Sequence, residues 1–514
     1  MNLNKLLTAL RQRKNTPARN LPAGRHERYT HALEQFLDGQ PAIRLGGVYT
    51  LANLADEWLT DTSLPEQVRR EEAQTIVDAL TGCIRTPYPF AQNRQVLESD
   101  EAPEGYEGDF TRNQEALREE QLVRRTVFME FSRRLAAAAE NNKTGNEESQ
   151  HALPQISPMW ADLRFDFGGA PIFYPLRQLY FQNADFASAT FYGPADFSGA
   201  TFHGDTSFSA AQFTADASFH GANFTGEVDF SDAVFSAAAD FAVASFESDA
   251  DFSRLNTAGI ASFAAVTFDG NAVFTASTFH DEAHFAASVF NRPVVFSKSL
   301  FGGVASFAGV ATKQTAMFCS VRFASAADFS GASFTQFADF GGARFDGDAT
   351  FSRSSFFAVI RTSYDMDFPQ YANFANAAFA QGADFSKATF TAFVGFGRAT
   401  FAGAVSFNGA NFAGAYFADA KFSQKADFRQ TRFAYAEPSF WDSEGQQKSA
   451  RFSAQADPQD YLFGTRSESP YGFSCGTAEL LNRTFALPLG AVLYDPDSWD
   501  EEQQDYTRFS EPAQ

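Results

Sequence analysis

Between residues 181 and 433 a single aromatic residue type recurs at fixed steps through a background of small and polar residues. Phe181, Phe186, Phe191, Phe197, Phe202, Phe208, Phe213, Phe219, Phe224 and Phe230 follow one another at intervals that from Phe186 on alternate between five and six, a period of eleven. Thr257 takes one place; the series resumes at Phe263 and runs to Phe307, then past Thr312 from Phe318 to Phe356, and again from Phe374 to Phe433. Eleven residues also fit three turns of a right-handed coiled coil, at about 3.67 residues per turn. On a helix, though, a step of five at about 100° per residue sets successive rings roughly 140° apart, which makes two stripes and no single seam. The intervening Gly, Ser, Thr, Asp and Asn also disfavour helix. A flat strand fails because an odd step flips each ring to the other face of the pleat. What remains is a chain that turns a corner after each short extended piece, so that every ring meets a common axis: a β-solenoid.

The predicted core therefore begins with Phe186, Phe191, Phe197, Phe202, Phe208 and Phe213. Two positions before each ring the residue is usually alanine, as at Ala184, Ala189, Ala195, Ala200, Ala211, Ala222 and Ala233. That is the second inward site of the pleat, kept small beside a phenyl group. Between the two sits Asp, Ser, Thr or Asn, pointing outward, and small polar or Gly residues follow the ring, as tight turns prefer. Two eleven-residue units make a four-sided coil of 22, so at about 4.8 Å between stacked strands residues 181–433 predict roughly eleven or twelve coils and a rod of roughly 55 Å.

ADFASATF, ADFSGATF, ANFTGEVDF and ADFSKATF resemble the pentapeptide-repeat family in its Phe-centred form. The resemblance covers about half of the chain and implies a right-handed quadrilateral β-helix. The sequence departs from the family in the extra residue of every second step, which is expected to bulge two opposite corners. It departs again between Phe356 and Phe374, where IRTSYDMDFPQY predicts a corner loop.

The flanking regions read differently. Residues 1–25 form a basic N-terminal arm, expected either to be disordered or to fold back on the acidic coils; contact with anionic membrane or nucleic acid is the alternative. Residues 26–140 read as an α-helical domain. HERYTHALEQFLDG, AIRLGGVYTLANLADEWL and PEQVRREEAQTIVDALTGCIR predict three helices, with Val48, Leu51, Leu54, Ala55 and Trp58 on one face. A loop is predicted over 86–111. TRNQEALREEQLVRRTVFMEFSRRLAAAAE then predicts a long helix burying Leu122, Val123, Val127, Phe128, Phe131 and Leu135. RYTxAxEQ and RLGGxYxLxxLA are similar to the all-helical region that precedes such repeats in many actinobacterial proteins. Gly46-Gly47 predict close helix packing; a phosphate-binding loop would need GxxxxGK[ST], which does not follow. Residues 141–161 are a polar linker and 162–435 the β-helix. Residues 436–514 form a C-terminal cap, ending in an acidic tail expected to fray after Asp495. The helices are expected to cover the first coil, because a solenoid end exposes unpaired strand edges.

Composition sharpens this picture. The 514 residues hold 61 Phe against 4 Trp, 15 Tyr and 5 Met, so an ordinary mixed core is excluded. No apolar run approaches the roughly 18 residues of a membrane span, and the N-terminus lacks the apolar region of a secretory signal. A cytoplasmic location is the expectation. Cys83, Cys319 and Cys475 are too scattered for a disulfide framework or zinc cluster. The formal charge is −22, from 40 basic and 62 acidic side chains. Residues 181–290 hold 14 acidic residues and one base, Arg254, whereas 291–433 hold 9 acidic and 13 basic. The acidic half would carry about one charge per 1.9 Å, close to one per about 1.7 Å of duplex DNA.

Candidate chemistry is sparse. His280-Asp281-Glu282-Ala283-His284 invites a metal reading but is not HExxH, and a solvated corner is the simpler reading. Repeated outward Asp could imitate catalytic carboxylates, but acid–base pairs need distinct environments. No GxSxG, Walker loop or Cys/His pair appears, so no enzyme, metal or cofactor is expected; a hydrolase site in the C-terminal region is the least favoured reading. The expected role is a rigid protein–protein interaction scaffold for a protein partner whose identity the residues do not reveal. Its candidate acidic interaction face comprises Asp185, Asp196, Asp229, Asp240 and Asp251. The family resemblance implies an alternative, an acidic DNA mimic that modulates DNA gyrase or a similar topoisomerase. Direct nucleic-acid binding is not expected at this net charge.

Overall fold

The structure, a computed structural model, describes residues 23–143, 158–357, 372–441 and 448–514. Nearly all of the predicted basic arm, most of the predicted linker and nearly all of the corner loop predicted at 356–374 lie outside the described residues. The chain forms two units, Met1–Ser248 and Asp249–Gln514.

In the first unit the three expected helices are α1 (Ala23–Phe36), α2 (Pro41–Thr60) and α3 (Glu66–Ile84). Pro41 opens α2 where a missing N–H costs nothing, since the first-turn donors have no partner within the helix. Val48, Leu51, Leu54, Ala55 and Trp58 form its buried face, as predicted. Of the glycine pair only Gly47 is needed: a Cβ there would fall on the Phe36 backbone, 2.7 Å from its Cα, whereas one at Gly46 would meet nothing within 4 Å. The expected loop 86–111 contains one helical turn, α4 (Arg94–Leu97), and the long helix is α5 (Phe110–Lys143). Val123, Val127, Phe128, Phe131 and Leu135 are buried, but Leu122 is 53% exposed, against expectation. It lies about 100° round the helix from Val123 on the side away from the other four, a consequence of the helical step.

The same unit contains four ladders of parallel two- and three-residue strands, met in the order I to IV around each coil. Ladder I carries Phe165–Asp166, Ala184–Asp185, Thr206–Ser207 and Val228–Asp229. Ladder II carries Pro171–Ile172, Thr190–Phe191, Gln212–Phe213 and Val234–Phe235. Ladder III carries Ala195–Asp196, Ala217–Ser218 and Ala239–Asp240, and ladder IV runs from Tyr180–Gln182 through Thr201–His203 and Asn223–Phe224 to Ser245–Phe246. From Ala184 on, partners one coil apart differ by 22 residues, as Ala195, Ala217 and Ala239 show. Phe186, Phe191, Phe197, Phe202, Phe208 and Phe213 are at most 1% exposed, and the alanines two places before them are buried with them.

The extra residue of each six-residue step lies in the corners from II to III and from IV to I, the two opposite bulges predicted. The five-residue corners are tight turns closed by a backbone bond, such as Ala244 N–H to Phe241 C=O at 3.1 Å. They place one residue in the left-handed region, and it is often not glycine: Ser188, Ala210, Asp232 and Val243 have φ of 55–61°. The coil overrides local preference here. Val243, β-branched and 58% exposed at φ 61°, bears the largest steric penalty. Val243→Gly is therefore expected to raise unfolding stability by about 1 kcal/mol, measured as a shift in denaturant midpoint at unchanged slope.

Helix α5 closes the first coil. Phe128 stacks on Phe167 at 4.6 Å between centroids, and Phe131 meets Phe165 edge-on at 5.0 Å. Helix side chains also satisfy open strand groups: Tyr180 N–H donates to Ser132 Oγ (2.8 Å), Gln121 Nε2 donates to Phe173 C=O (2.8 Å), and Gln74 bonds both backbone groups of Arg164. The cap thus hides apolar rings and pairs what would be a sticky edge.

In the second unit the same four ladders recur. Ladder I runs through Ala250–Asp251, Ala272–Val273, Val294–Val295, Ala316–Met317, Ala338–Asp339 and Ala372–Asn373. Rings stack coil on coil: Phe307 lies 4.9 Å from Phe285 and 4.7 Å from Phe329, within 3° of parallel to each. Past Phe433, Arg451–Ser453 extends ladder II and Tyr461–Thr465 extends ladder III. Phe440, Phe463 and Phe473 gather over Phe428, beside the antiparallel hairpin Cys475–Leu480/Arg483–Pro488. The tail after Asp495 is folded, against expectation. Trp499 pairs with Tyr506, Tyr506 lies 4.4 Å from the Tyr494 ring and 4.7 Å from Lys421 Nζ, and Arg508 binds Asp495 at 2.7 Å. Aromatic residues among the acidic ones supply the anchoring that a purely charged tail lacks.

Candidate interaction faces

On the flat of each ladder a partner would meet the outward residue of each strand pair, and the role of that residue depends on the corner that follows. On ladders I and III a tight corner comes next. There the Asp carboxylate accepts the N–H two residues on: Asp185 from Ala187 (2.8 Å), Asp196 from Ser198 (3.0 Å), Asp229 from Ser231 (2.7 Å), Asp240 from Ala242 (2.9 Å) and Asp251 from Ser253 (2.7 Å). Asp328, Asp339 and Asp384 repeat the bond at 2.8 Å. Asp and Ser favour this position because their short side chains reach the turn amide.

In the first unit Asp185 and Asp229 lie on ladder I, in register through Ser207, while Asp196 and Asp240 lie on ladder III, in register through Ser218. Those ladders are not neighbours around the coil. Asp251 belongs to ladder I of the second unit. The structure does not gather the five on one face. Burial acts to raise the Asp196 carboxyl, but the Ser198 amide and hydroxyl and the Arg177 guanidinium outweigh it and leave it lowered. Its charge is held in place by the turn and by Arg177, 2.7 Å away.

His280, Asp281 and Glu282 occupy a II-to-III corner, with Ala283 turned inward and buried. His284 Nε2 lies 3.1 Å from Glu282 Oε2. Among the described residues no three His, Cys, Asp or Glu side chains are placed to hold a metal ion. Cys319 shares a hydrogen bond with Ser297 at 2.9 Å, Cys83 is buried among helices, and Cys475 is exposed.

The helical region holds two buried ionic networks that sequence reading did not locate. Glu120 accepts from Arg44 (2.5 Å) and Arg124 (2.6 Å), and Arg124 also donates to the carbonyls of Ile84 and Thr86. Burial opposes the Glu120 charge, yet the two guanidiniums hold its carboxyl below the usual range. Arg134, fully buried, binds Asp56 and Glu130 and lies 5.4 Å over the Trp160 ring, whose N–H donates to Asp56 (2.7 Å). No motif or spacing links Arg44, Glu120 and Arg124 in the sequence; only the packing of three helices brings their charges together. These networks fasten the cap and leave no cleft between acid and base.

Among the described residues no helix is long and apolar enough to cross a membrane. No curated protein and no solved structure matches the chain. Residues 186–234 match the family described as Pentapeptide repeats (9 copies), and that match covers ladder strands whose rings, alanines and corners have the geometry set out above. Short strands in four ladders with a phenyl ring at most steps continue that geometry beyond the matched residues, so the coil is built of pentapeptide repeats of the Phe-centred kind.

Proposed function

We propose that this protein is a non-enzymatic scaffold whose rigid ladder faces bind another protein. The observation that supports it most is the division of labour within each strand pair. Rings, with alanine and a few other small or aliphatic side chains, fill the inside, and the outward residues form columns that repeat at about 4.8 Å. Such columns present fixed side chains at little ordering cost on binding. The turn bonds of the aspartates give those residues a reason to recur that needs no ligand.

A finer reading is imitation of a DNA duplex toward a gyrase-like topoisomerase. It is supported by the acidic excess of residues 181–290 alone. Cross-linking of the intact protein to captured partners, read by mass spectrometry, tests the scaffold: contacts should map to outward ladder residues and persist when salt is raised. Cross-links confined to the helical region would count against it. Steep loss with ionic strength, together with inhibition of gyrase supercoiling, would favour the mimic.

A further inference from the structure

We propose that ladder I of the second unit carries a docking stripe for an acidic amphipathic helix, a partner chemistry that rests on the scaffold reading. Three successive coils put Val273, Val295 and Met317 in direct register at the outward position. Asp251 precedes them and Asp339 follows on the same ladder, each closing its corner through its carboxylate. The three apolar residues cannot accept that amide bond. Local structure therefore gains nothing from them at a position that otherwise favours Asp or Ser, and the half-buried stripe they form is apolar on a fold whose other columns are largely polar.

Charge around the stripe selects the partner. Around Val295 and Met317, residues 283–327 contain no Asp or Glu, in a chain of formal charge −22, and include Arg292, Lys298 and Lys313; the corner before Val273 holds Asp269, bonded to Asn291. All three cations are exposed. Arg292 and Lys313 stand in the six-residue corners on one side of the stripe, and Lys298, at φ 64°, stands in the tight corner on the other. Among the described residues they make no ion pair. An apolar ridge flanked on both sides by carboxylates fits this arrangement.

Spacing selects the helix. Rows on the ladder lie about 4.8 Å apart, against about 5.4 Å per helical turn, so two turns drift by only about 1 Å across three rows. An added strand repeats one face at roughly 6.7 Å and would drift by about 4 Å. Duplex DNA would satisfy the cations but not the apolar row. A second copy packed antiparallel about Val295 would set Asp251 against Asp339, like against like.

The test titrates the full chain with a synthetic helical peptide of about three turns, Leu along one face and Glu on both flanks. Binding to the wild-type protein is expected, with a loss of about tenfold or more in Val295→Asp/Met317→Asp and in Arg292→Glu/Lys298→Glu. Ser306→Asp, on ladder III of the same coils, should leave it unchanged. The double Asp variant restores turn-closing residues, so its denaturant midpoint should hold or rise, which separates lost binding from lost folding. No binding, or binding indifferent to Val295→Asp/Met317→Asp, overturns the proposal. So does displacement of the peptide by short duplex DNA that depends on the cations alone, or a wild-type dimer in sedimentation that the Asp variant dissolves. Captured partners cross-linked only to other ladders would overturn this inference and leave the scaffold standing; absence of any ladder cross-link would remove the scaffold itself.

Discussion

Replacing Phe307 by Ala is expected to destabilise the second unit by about 3–5 kcal/mol. The ring is fully buried, stacked on Phe285 and Phe329 and edge-on to Phe296 and Phe318 at 5.3 Å. Truncation removes the transfer energy of the phenyl group and leaves a cavity that cannot collapse, because the backbone above and below is fixed by the ladder bonds of Phe285 to Ser306 (2.7 Å) and Phe307 to Asp328 (2.6 Å). Phe307→Leu should cost less, since it keeps more of the filling volume. Guanidinium unfolding followed by far-UV ellipticity reads both. A loss within 1 kcal/mol for the Ala variant would mean that this ring is not packed as described.

Glu120→Ala should cost about 3–5 kcal/mol in the helical region, because it strands two guanidiniums rather than because the pair itself is strong. Arg124 is 2% exposed and Arg44 is partly buried, so neither can turn fully to water. The same network gives a pH dependence whose sign is fixed. The carboxyls of Glu120 and Glu130 are buried, which opposes their charge, but bonded arginines hold both below their ordinary value. Their stabilisation is present above the ordinary carboxylate pKa of about 4.3 and is lost as pH falls through the lower folded values. Acid titration of the intact protein, read by the fluorescence of Trp58 and Trp160, should show unfolding of this region on the acid side only. Glu120→Gln should flatten that dependence while lowering stability at neutral pH.

Much of the fold is legible in the sequence because one residue type has one job. The period of the phenylalanines gives the coil, and the alanine two places before each ring gives the second inward site. Where the series lapses at Thr257 and Thr312, both side chains are still buried inward. Beside Thr257 the usual alanine becomes Leu255, also buried, which returns part of the missing volume. The corners were less legible. Val243 and Arg254 occupy left-handed positions that local preference would assign to Gly or Asn, because the bonds of neighbouring coils impose the conformation.

The candidate faces were the least legible part. Asp before each ring reads as surface charge in sequence, and only geometry reveals the carboxylate reaching the turn amide. Leu122 illustrates the same limit in a helix, where one residue of offset moves a side chain from core to solvent. Trp499 and Tyr506 show the converse: an acidic tail acquires structure through two aromatic residues that share a partner far back along the chain, Lys421, with Tyr494 nearby against Tyr506.

Pairwise chemical cross-linking in a cysteine-free background tests the coil directly. Ser306 and Asp328 are register partners, 22 residues apart on ladder III, whereas Met317 lies midway between them on ladder I. With cysteines at 306 and 328, a short bismaleimide should join the two quickly in the native protein, and cysteines at 306 and 317 should not be joined. Slow or absent cross-linking of 306 to 328, as a helix placing them about 33 Å apart would give, would contradict the four-ladder coil on which every other conclusion rests.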